Sequence, residues 1–233
     1  MNIFITGASR GIGFACVKKL LEMDGHRILA LARHTQPLRD FLAENPRFEQ
    51  RLVISEFDFG HFEPDTYLKE WQKIFTHVDI LINNAGLLIN KPFLELTQDD
   101  WRALFEVNVF GCAKLIQVLY PLLKKSGKAH IVNIGSMGGH EGTSKFNGLS
   151  AYSASKAALA NLTECLAEEW KHEGISANCL MLGAVNTEML AEAFPGYQAP
   201  LNADEIAEFI TDFSLNAHRF LNGKLLPIAL TTP

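Results

Sequence analysis

Short apolar runs alternate with helix-periodic stretches along the whole chain. This predicts an α/β fold, a doubly wound and mostly parallel sheet with helices on both faces. Two further observations support it. The apolar runs are continuous, as strands buried on both faces require, and a glycine-rich turn joins the first strand directly to the first helix. No internal repeat, low-complexity tract or linker divides the 233 residues. That length suits one sizeable core, so 1–233 reads as a single domain.

The elements follow in order. Ile3-Phe4-Ile5 is the first strand, and Thr6-Gly-Ala-Ser-Arg-Gly-Ile-Gly13 is the turn. Helical spacing then runs over 11–23, with Ala15, Leu20 and Leu21 at apolar positions. Strands are predicted at 27–32, 52–57, 78–82, 129–134 and 176–181, and helices at 38–44, 67–75, 98–123 and 153–172. Beyond about residue 189 the pattern is less regular, with a helix expected at 204–213 and a last strand at 224–229.

Bulk properties narrow the function classes. Hydrophobic residues make up 48% and charged residues 20%, an ordinary globular balance. The net charge of -5 lacks the basic footprint of a nucleic-acid partner. No apolar run approaches the roughly 20 residues of a membrane span, and the opening residues lack a secretory pattern. A cytoplasmic protein without membrane or nucleic-acid partners is therefore expected. Cys16, Cys112, Cys165 and Cys179 are scattered, without CxxC or metal-ligand spacing. They read as buried free thiols, and no metal site is expected.

Gly7, Gly11 and Gly13 follow a strand and open a helix. Glycine lets the backbone approach a pyrophosphate closely, and the helix N-terminus offers unpaired N–H groups. The spacing is GxxxGxG rather than the commoner GxGxxG. At the end of the second strand, where an NAD site carries an acid, stand Ala32, Arg33 and His34, and Arg10 lies inside the glycine turn. Two cations without a carboxylate suit a 2′-phosphate. NADP(H) is thus the expected cofactor, with NAD(H) left open; the competing reading is two solvated arginines.

Tyr152 and Lys156 are four residues apart at a helix start, which puts them on one face. A free phenol, with its pKa near 10, exchanges protons poorly at neutral pH. A neighbouring ammonium, helped by a cationic nicotinamide ring, favours the phenolate.

Thr6–Gly13, Asn83-Asn-Ala-Gly86, Val107-Asn108, Ser136 and Tyr152-Ser-Ala-Ser-Lys156 occur in that order. Over residues 1–190 the chain resembles the short-chain dehydrogenase/reductases, specifically a compact NADP(H)-preferring group with a Rossmann-type sheet. The resemblance implies hydride transfer between NADP(H) and a small-molecule carbonyl or alcohol. Tyr152 would be the general acid or base, and Lys156 would assist it and hold the nicotinamide ribose. Ser136 would donate to the carbonyl oxygen, and Asn108 would hold a water in a proton relay. Ser9, Arg10 and Ile12 would join Gly7, Gly11 and Gly13 around the phosphates, with Arg33 nearby. Asn83 and its neighbours Asn84, Ala85 and Gly86 would lie beside the adenosine, with Asp58 facing the adenine. Gly183 and Val185 would lead to Thr187 at the nicotinamide carboxamide. A homodimer or homotetramer through helices 98–123 and 153–172 is implied as well. Read only as residues, Asn108 equally suits a helix kink or cap, and Asp58 a loop cap.

Three features depart from the family pattern. Ser136 and Tyr152 are 16 apart (152 − 136), against about 13 in the family. The extra residues lie in the glycine-rich loop 138–148, where His140, Lys145 and Phe146 are either solvated or turned to substrate. Leu182 stands where a proline is usual. The tail 225–233 lacks the usual Asp-Gly-Gly. Residues 188–200, with Met189, Leu190, Phe194 and Tyr197, occupy the place of a substrate lid and favour a hydrophobic or mixed substrate. Two other functions compete: an NADPH-binding regulator without useful catalysis, and a sugar-nucleotide epimerase or dehydratase. The short chain and the GxxxGxG spacing argue against the latter.

Overall fold

The computed structural model describes residues 1–230. Its first half contains β1 (Asn2–Thr6), α1 (Gly11–Glu22), β2 (Arg27–Ala32), α2 (Gln36–Glu44), β3 (Leu52–Glu56), α3 (Pro64–Ile74), β4 (Ile80–Asn83), α4 (Gln98–Phe105) and α5 (Gly111–Ser126). The second contains β5 (Ala129–Ser136), α6 (Ser150–Glu169), β6 (Ile175–Leu182), β7 (Val185–Asn186), α7 (Glu188–Ala193), β8 (Leu201–Asn202), α8 (Ala203–Asn216) and β9 (Leu225–Ile228). Seven strands form one sheet in the order β3-β2-β1-β4-β5-β6-β9, and every pairing in it is parallel.

The period-two geometry of a strand sends alternate side chains to opposite faces. Ile3 and Ile5 enter a core shared with α1, α2 and α8, including Leu20, Leu21, Leu38 and Ile210. Phe4 enters the opposite core with Trp71, Phe75 and the α5 residues Leu115, Leu119 and Leu122. Both faces are therefore covered, which explains the continuous apolar strands. Chain order reverses between β1 and β4, and a ligand crevice opens beyond the carboxyl ends of strands at such a switch point.

The structure corrects several expectations. The helix expected over 98–123 is interrupted by a π turn, Glu106–Phe110, between α4 and α5. The Gly111 N–H donates to Glu106 O, five residues back. A Cβ at Gly111 would lie 2.4 Å from the Phe59 ring, so only glycine permits this close packing. The helix expected to begin at residue 153 starts at Ser150 instead, which places Tyr152 in its first turn. Cys165 is exposed; the other three thiols are buried as expected. Burial pushes Cys16 and Cys179 up to about 12 and Cys112 to about 11, which keeps these thiols protonated and unreactive.

The stretch Gln98–Ser126 is long and apolar enough, by composition alone, to cross a membrane. Its Leu115, Ile116, Leu119, Leu122 and Leu123 are buried in the core. The last strand forms as β9, while residues 231–233 of the expected tail lie outside the described residues.

Candidate active site

The glycine turn is held from β4. Thr6 Oγ1 accepts bonds from the backbone N–H groups of Asn84 and Ala85, both at 3.0 Å. The Asn84 side-chain amide donates to Thr6 O at 3.0 Å and Gly7 O at 3.1 Å. Gly7 and Gly11 have φ of +64° and +52°, the left-handed region that favours glycine. A Cβ at Gly13 would lie 2.3 Å from Gly7 O and 2.4 Å from Asn84 Nδ2. Among the described residues, the start of α1 has no side-chain cap and no acid in its first turn. Its N–H groups and dipole thus face the cavity, a combination suited to a phosphate.

Gly7, Ser9, Arg10, Gly11 and Ile12 line a cavity of about 580 Å³. Gly13 packs beneath the turn instead of lining it. Asn84, Ala85 and Gly86 line the cavity as well, whereas Asn83 is buried and donates to Asn133 Oδ1 at 2.8 Å. The outward positions of the motif thus face the ligand space, and the first asparagine belongs to the core.

Arg33 and Asp58 line the same cavity. Burial raises the Asp58 carboxyl, but the Gly60 N–H, His61 and the nearby Arg33 charge together hold it below the ordinary carboxylate range. Asp58 Oδ1 accepts from Gly60 N at 3.1 Å, so it caps a loop while facing the cavity. Arg10 is exposed and pairs with Glu192 of α7 at 3.1 Å. Of the two arginines expected at a 2′-phosphate, one therefore also bridges the glycine turn to α7.

α6 presents Tyr152 and Lys156 to the cavity together, and Ser136 reaches it from the end of β5. Lys156 is buried, donates to Ile134 O at 2.8 Å, and stands 5.9 Å from the Tyr152 ring centroid. Ser136 Oγ accepts from Gly138 N at 3.3 Å, which fixes the serine at the cavity wall. Asn108 sits in the π turn but does not line the cavity, because its side chain is fully engaged. Its Oδ1 accepts from Leu87 N at 2.8 Å; its Nδ2 donates to Leu87 O and Ser155 Oγ, both at 2.9 Å. Ser155 Oγ donates in turn to Tyr152 O at 2.7 Å. The Asn108 side chain thus clamps the β4 loop, the π turn and α6 together. Gly86 keeps this junction open: a Cβ there would be 3.4 Å from both Asn108 Oδ1 and Lys156 Nζ.

The loop 138–148 is locked on itself. Lys145 Nζ donates to Gly138 O at 2.9 Å and His140 O at 2.6 Å, and Thr143 Oγ1 donates to Met137 O. Lys145 is thus a loop brace, and Phe146 is the residue of this loop that lines the cavity. Leu182, in place of the usual proline, ends β6 opposite Ser136 and Ile228, with Gly183 N donating to Ile228 O at 2.8 Å.

After β6, Gly183, Val185 and Thr187 line the cavity, and Thr187 Oγ1 caps α7 by accepting from Leu190 N. The segment 187–200 is pinned at its base. β7 pairs with β8, and the Asn186 side chain bonds to both N and O of Ala199 at 2.7 Å. Sequence reasoning missed Thr6, Ser155 and Asn186. A hydroxyl directly before the glycine turn was a usable signal for Thr6; the partners of the other two are distant or local backbone groups that no spacing reveals.

A parallel sheet with a glycine turn at its switch point, and a tyrosine and lysine facing the same cavity, define a dinucleotide-dependent oxidoreductase class. The short chain dehydrogenase family model matches residues 1–198, and the chain belongs to that family. It is 31% identical over 206 residues to an uncharacterized oxidoreductase of Staphylococcus epidermidis, covering 88% of this chain and 87% of that one. An uncharacterized oxidoreductase of Staphylococcus saprophyticus is 32% identical, with 88% and 86% covered. Among solved structures, a short chain dehydrogenase from Escherichia coli CFT073 complexed with NADPH superposes with a TM-score of 0.86 at 27% identity, covering 97% and 95%. A 4-hydroxyisoleucine dehydrogenase complexed with NADH gives 0.84 at 28% identity, covering 98% and 96%.

Proposed function

We propose that this protein transfers hydride between NADP(H) and a carbonyl or alcohol substrate, with Tyr152 as general acid or base. The observation that carries the proposal is the convergence of Tyr152, Lys156 and Ser136 on the cavity that also receives the glycine turn. The residues fit a dinucleotide: an uncapped helix start without acid, two positive-φ glycines, and Arg10 and Arg33 at the cavity. Gly7 to Ile12 would hold the pyrophosphate, Arg33 and Arg10 the 2′-phosphate, and Asp58 and Ala85 the adenosine end. Gly183, Val185 and Thr187 would hold the nicotinamide end.

When bound, the cofactor supplies or accepts the hydride. Ser136 donates a hydrogen bond to the substrate oxygen and orients it. Tyr152 gives that oxygen a proton in reduction and takes one in oxidation. The Lys156 ammonium favours the phenolate electrostatically and is held in place by Ile134 O. Asn108 acts as a positioning residue through Ser155 and the backbone of Tyr152.

NADP(H) is favoured over NAD(H) because Arg33 follows β2 where an acid would otherwise meet the ribose hydroxyls. The NADPH complex of the Escherichia coli relative supports this assignment, and the NADH complex of the 4-hydroxyisoleucine dehydrogenase is the counterexample to test against. We further read residues 1–233 as one cytoplasmic domain that assembles as a homodimer or homotetramer through the helices around 98–123 and 153–172. The deciding experiment is Tyr152→Phe. The account expects loss of carbonyl reduction with NADPH binding retained, and full activity in that variant contradicts it. Tight NADPH binding without turnover of any carbonyl or alcohol favours the regulatory alternative.

A further inference from the structure

Besides Tyr152, the cavity is lined by Phe146 and Leu149, which precede it in the chain, and by Met189, Leu190, Phe194 and Tyr197 from the segment after β7. We infer that the substrate is an uncharged, apolar aldehyde or ketone, or the matching secondary alcohol, and that compounds with a carboxylate beside the carbonyl are excluded. The inference rests on the hydride-transfer reading and specifies the substrate class of that same site.

The argument is one of charge as well as apolarity. Among the described lining residues, Arg10, Arg33, His34 and Asp58 come from the loops after β1, β2 and β3. They belong to the end of the cavity assigned to the cofactor. On the substrate side the charged lining residue is Lys156. Lys156 is bonded to Ile134 O behind Tyr152. Glu188, the remaining charged lining residue, has its carboxylate at the cofactor end, 3.5 Å from where a Cβ on Gly11 would stand.

Two lysines of the flanking loops, neither of which lines the cavity, are engaged. Lys145 is bonded to the carbonyl oxygens of its own loop, and Lys91 pairs with Asp100 at 2.7 Å. A substrate carboxylate would therefore lose its hydration among phenyl and aliphatic side chains without gaining an ion-pair partner there. A neutral ketone has only one polar atom to satisfy, and Ser136 and Tyr152 satisfy it.

The test uses the full chain with NADPH and three matched probes: 1-phenyl-1-propanone, methyl 2-oxo-2-phenylacetate, and the 2-oxo-2-phenylacetate anion. The ketone and the ester should be reduced with kcat/KM on the order of 100-fold above the anion. A parallel arm measures equilibrium binding of the ester and the anion to Tyr152→Phe loaded with NADP+, where the ester should bind and the anion should not. Anion turnover or binding equal to that of the ester overturns the inference, and so does binding of neither. Ester binding that exceeds anion binding, with no turnover of any probe by the unaltered protein, refutes hydride transfer while upholding the substrate class. Leu190→Arg should raise kcat/KM for the anion relative to the ester; an unchanged ratio in that folded variant counts against the substrate end lying at α7.

Discussion

At the carboxyl ends of β1 and β4, Thr6, Gly7 and Asn84 are joined by hydrogen bonds of 3.0–3.1 Å, with no room for a Cβ at Gly13. Beyond β6, the cavity is closed by α7, six residues of which none is buried, on a segment pinned at Asn186 and the β7–β8 pair. The first region is backbone held rigidly by side chains. The second is a set of apolar side chains carried on a thin, exposed segment. The glycine turn is therefore intolerant of added atoms, while the segment 187–200 has room for changes in its side chains.

This contrast can be broken by substitutions of graded effect. Gly13→Ala should be the most damaging, because its Cβ meets Gly7 O and the Asn84 amide. We expect a loss of about 1–3 kcal/mol in stability together with loss of NADPH binding, read by thermal unfolding and cofactor titration. Unimpaired NADPH binding in this variant would show that the turn is more pliant than its packing indicates.

A second test probes the buried side of the sheet behind the site. His130 is fully buried between β6 and α8. With Nδ1 donating to Ser214 O and Nε2 accepting from Asn178 Nδ2, both ring nitrogens are engaged and the ring is neutral. Burial, opposed by the Ser214 bond and aided by His218, lowers it from 6.5 to about 4. The unfolded chain therefore binds the proton first as pH falls. The His130 contribution is fully present above about pH 6.5 and is lost progressively down to about pH 4, by about 3 kcal/mol in all. His130→Gln should flatten the fall in unfolding free energy over that window; an unchanged slope contradicts the assignment.

Removing Arg33 and Arg10 together should weaken NADPH by about 10–100-fold, the scale of charge-assisted bonds, and leave NADH nearly unaffected. Equal weakening of both would remove the 2′-phosphate assignment. Phe194→Ala should have the smallest structural effect, within about 0.5 kcal/mol of the parent stability, while raising KM for an apolar ketone. A large drop in unfolding temperature would show that the lid is part of the core after all.

The same contrast explains what the sequence could reveal. Strand and helix order was readable because burial on two faces imposes continuous apolar runs, and the glycine turn because only glycine suits Gly7 and Gly11. Tyr152 and Lys156 stand one helical turn apart, a spacing too common to single them out; the ordered motifs of the family resemblance did so. The π turn was legible only as the kink that Asn108 allows, since residues 98–123 carry an unbroken helical pattern and Asn108 meets Leu87 and Ser155 across distant positions. Likewise, Asn84 bonds to Thr6 across 78 positions, and a local pattern holds no trace of such a partner. Lys145 looked like a solvated or substrate-facing charge, but it is consumed by its own loop. The lid could be placed only approximately, because its apolar residues show no period and its base is set by the Asn186 and Ala199 contact.

The central claim is that Tyr152 exchanges the proton of a hydride transfer carried out in this cavity. Its most direct test is reduction of 1-phenyl-1-propanone with NADPH deuterated at C4, comparing the parent protein with Tyr152→Phe. The account predicts deuterium at the carbinol carbon with the parent protein. It also predicts a rate at least about 100-fold lower in the variant at unchanged NADPH affinity. Deuterium transfer at parental rate by Tyr152→Phe would contradict it.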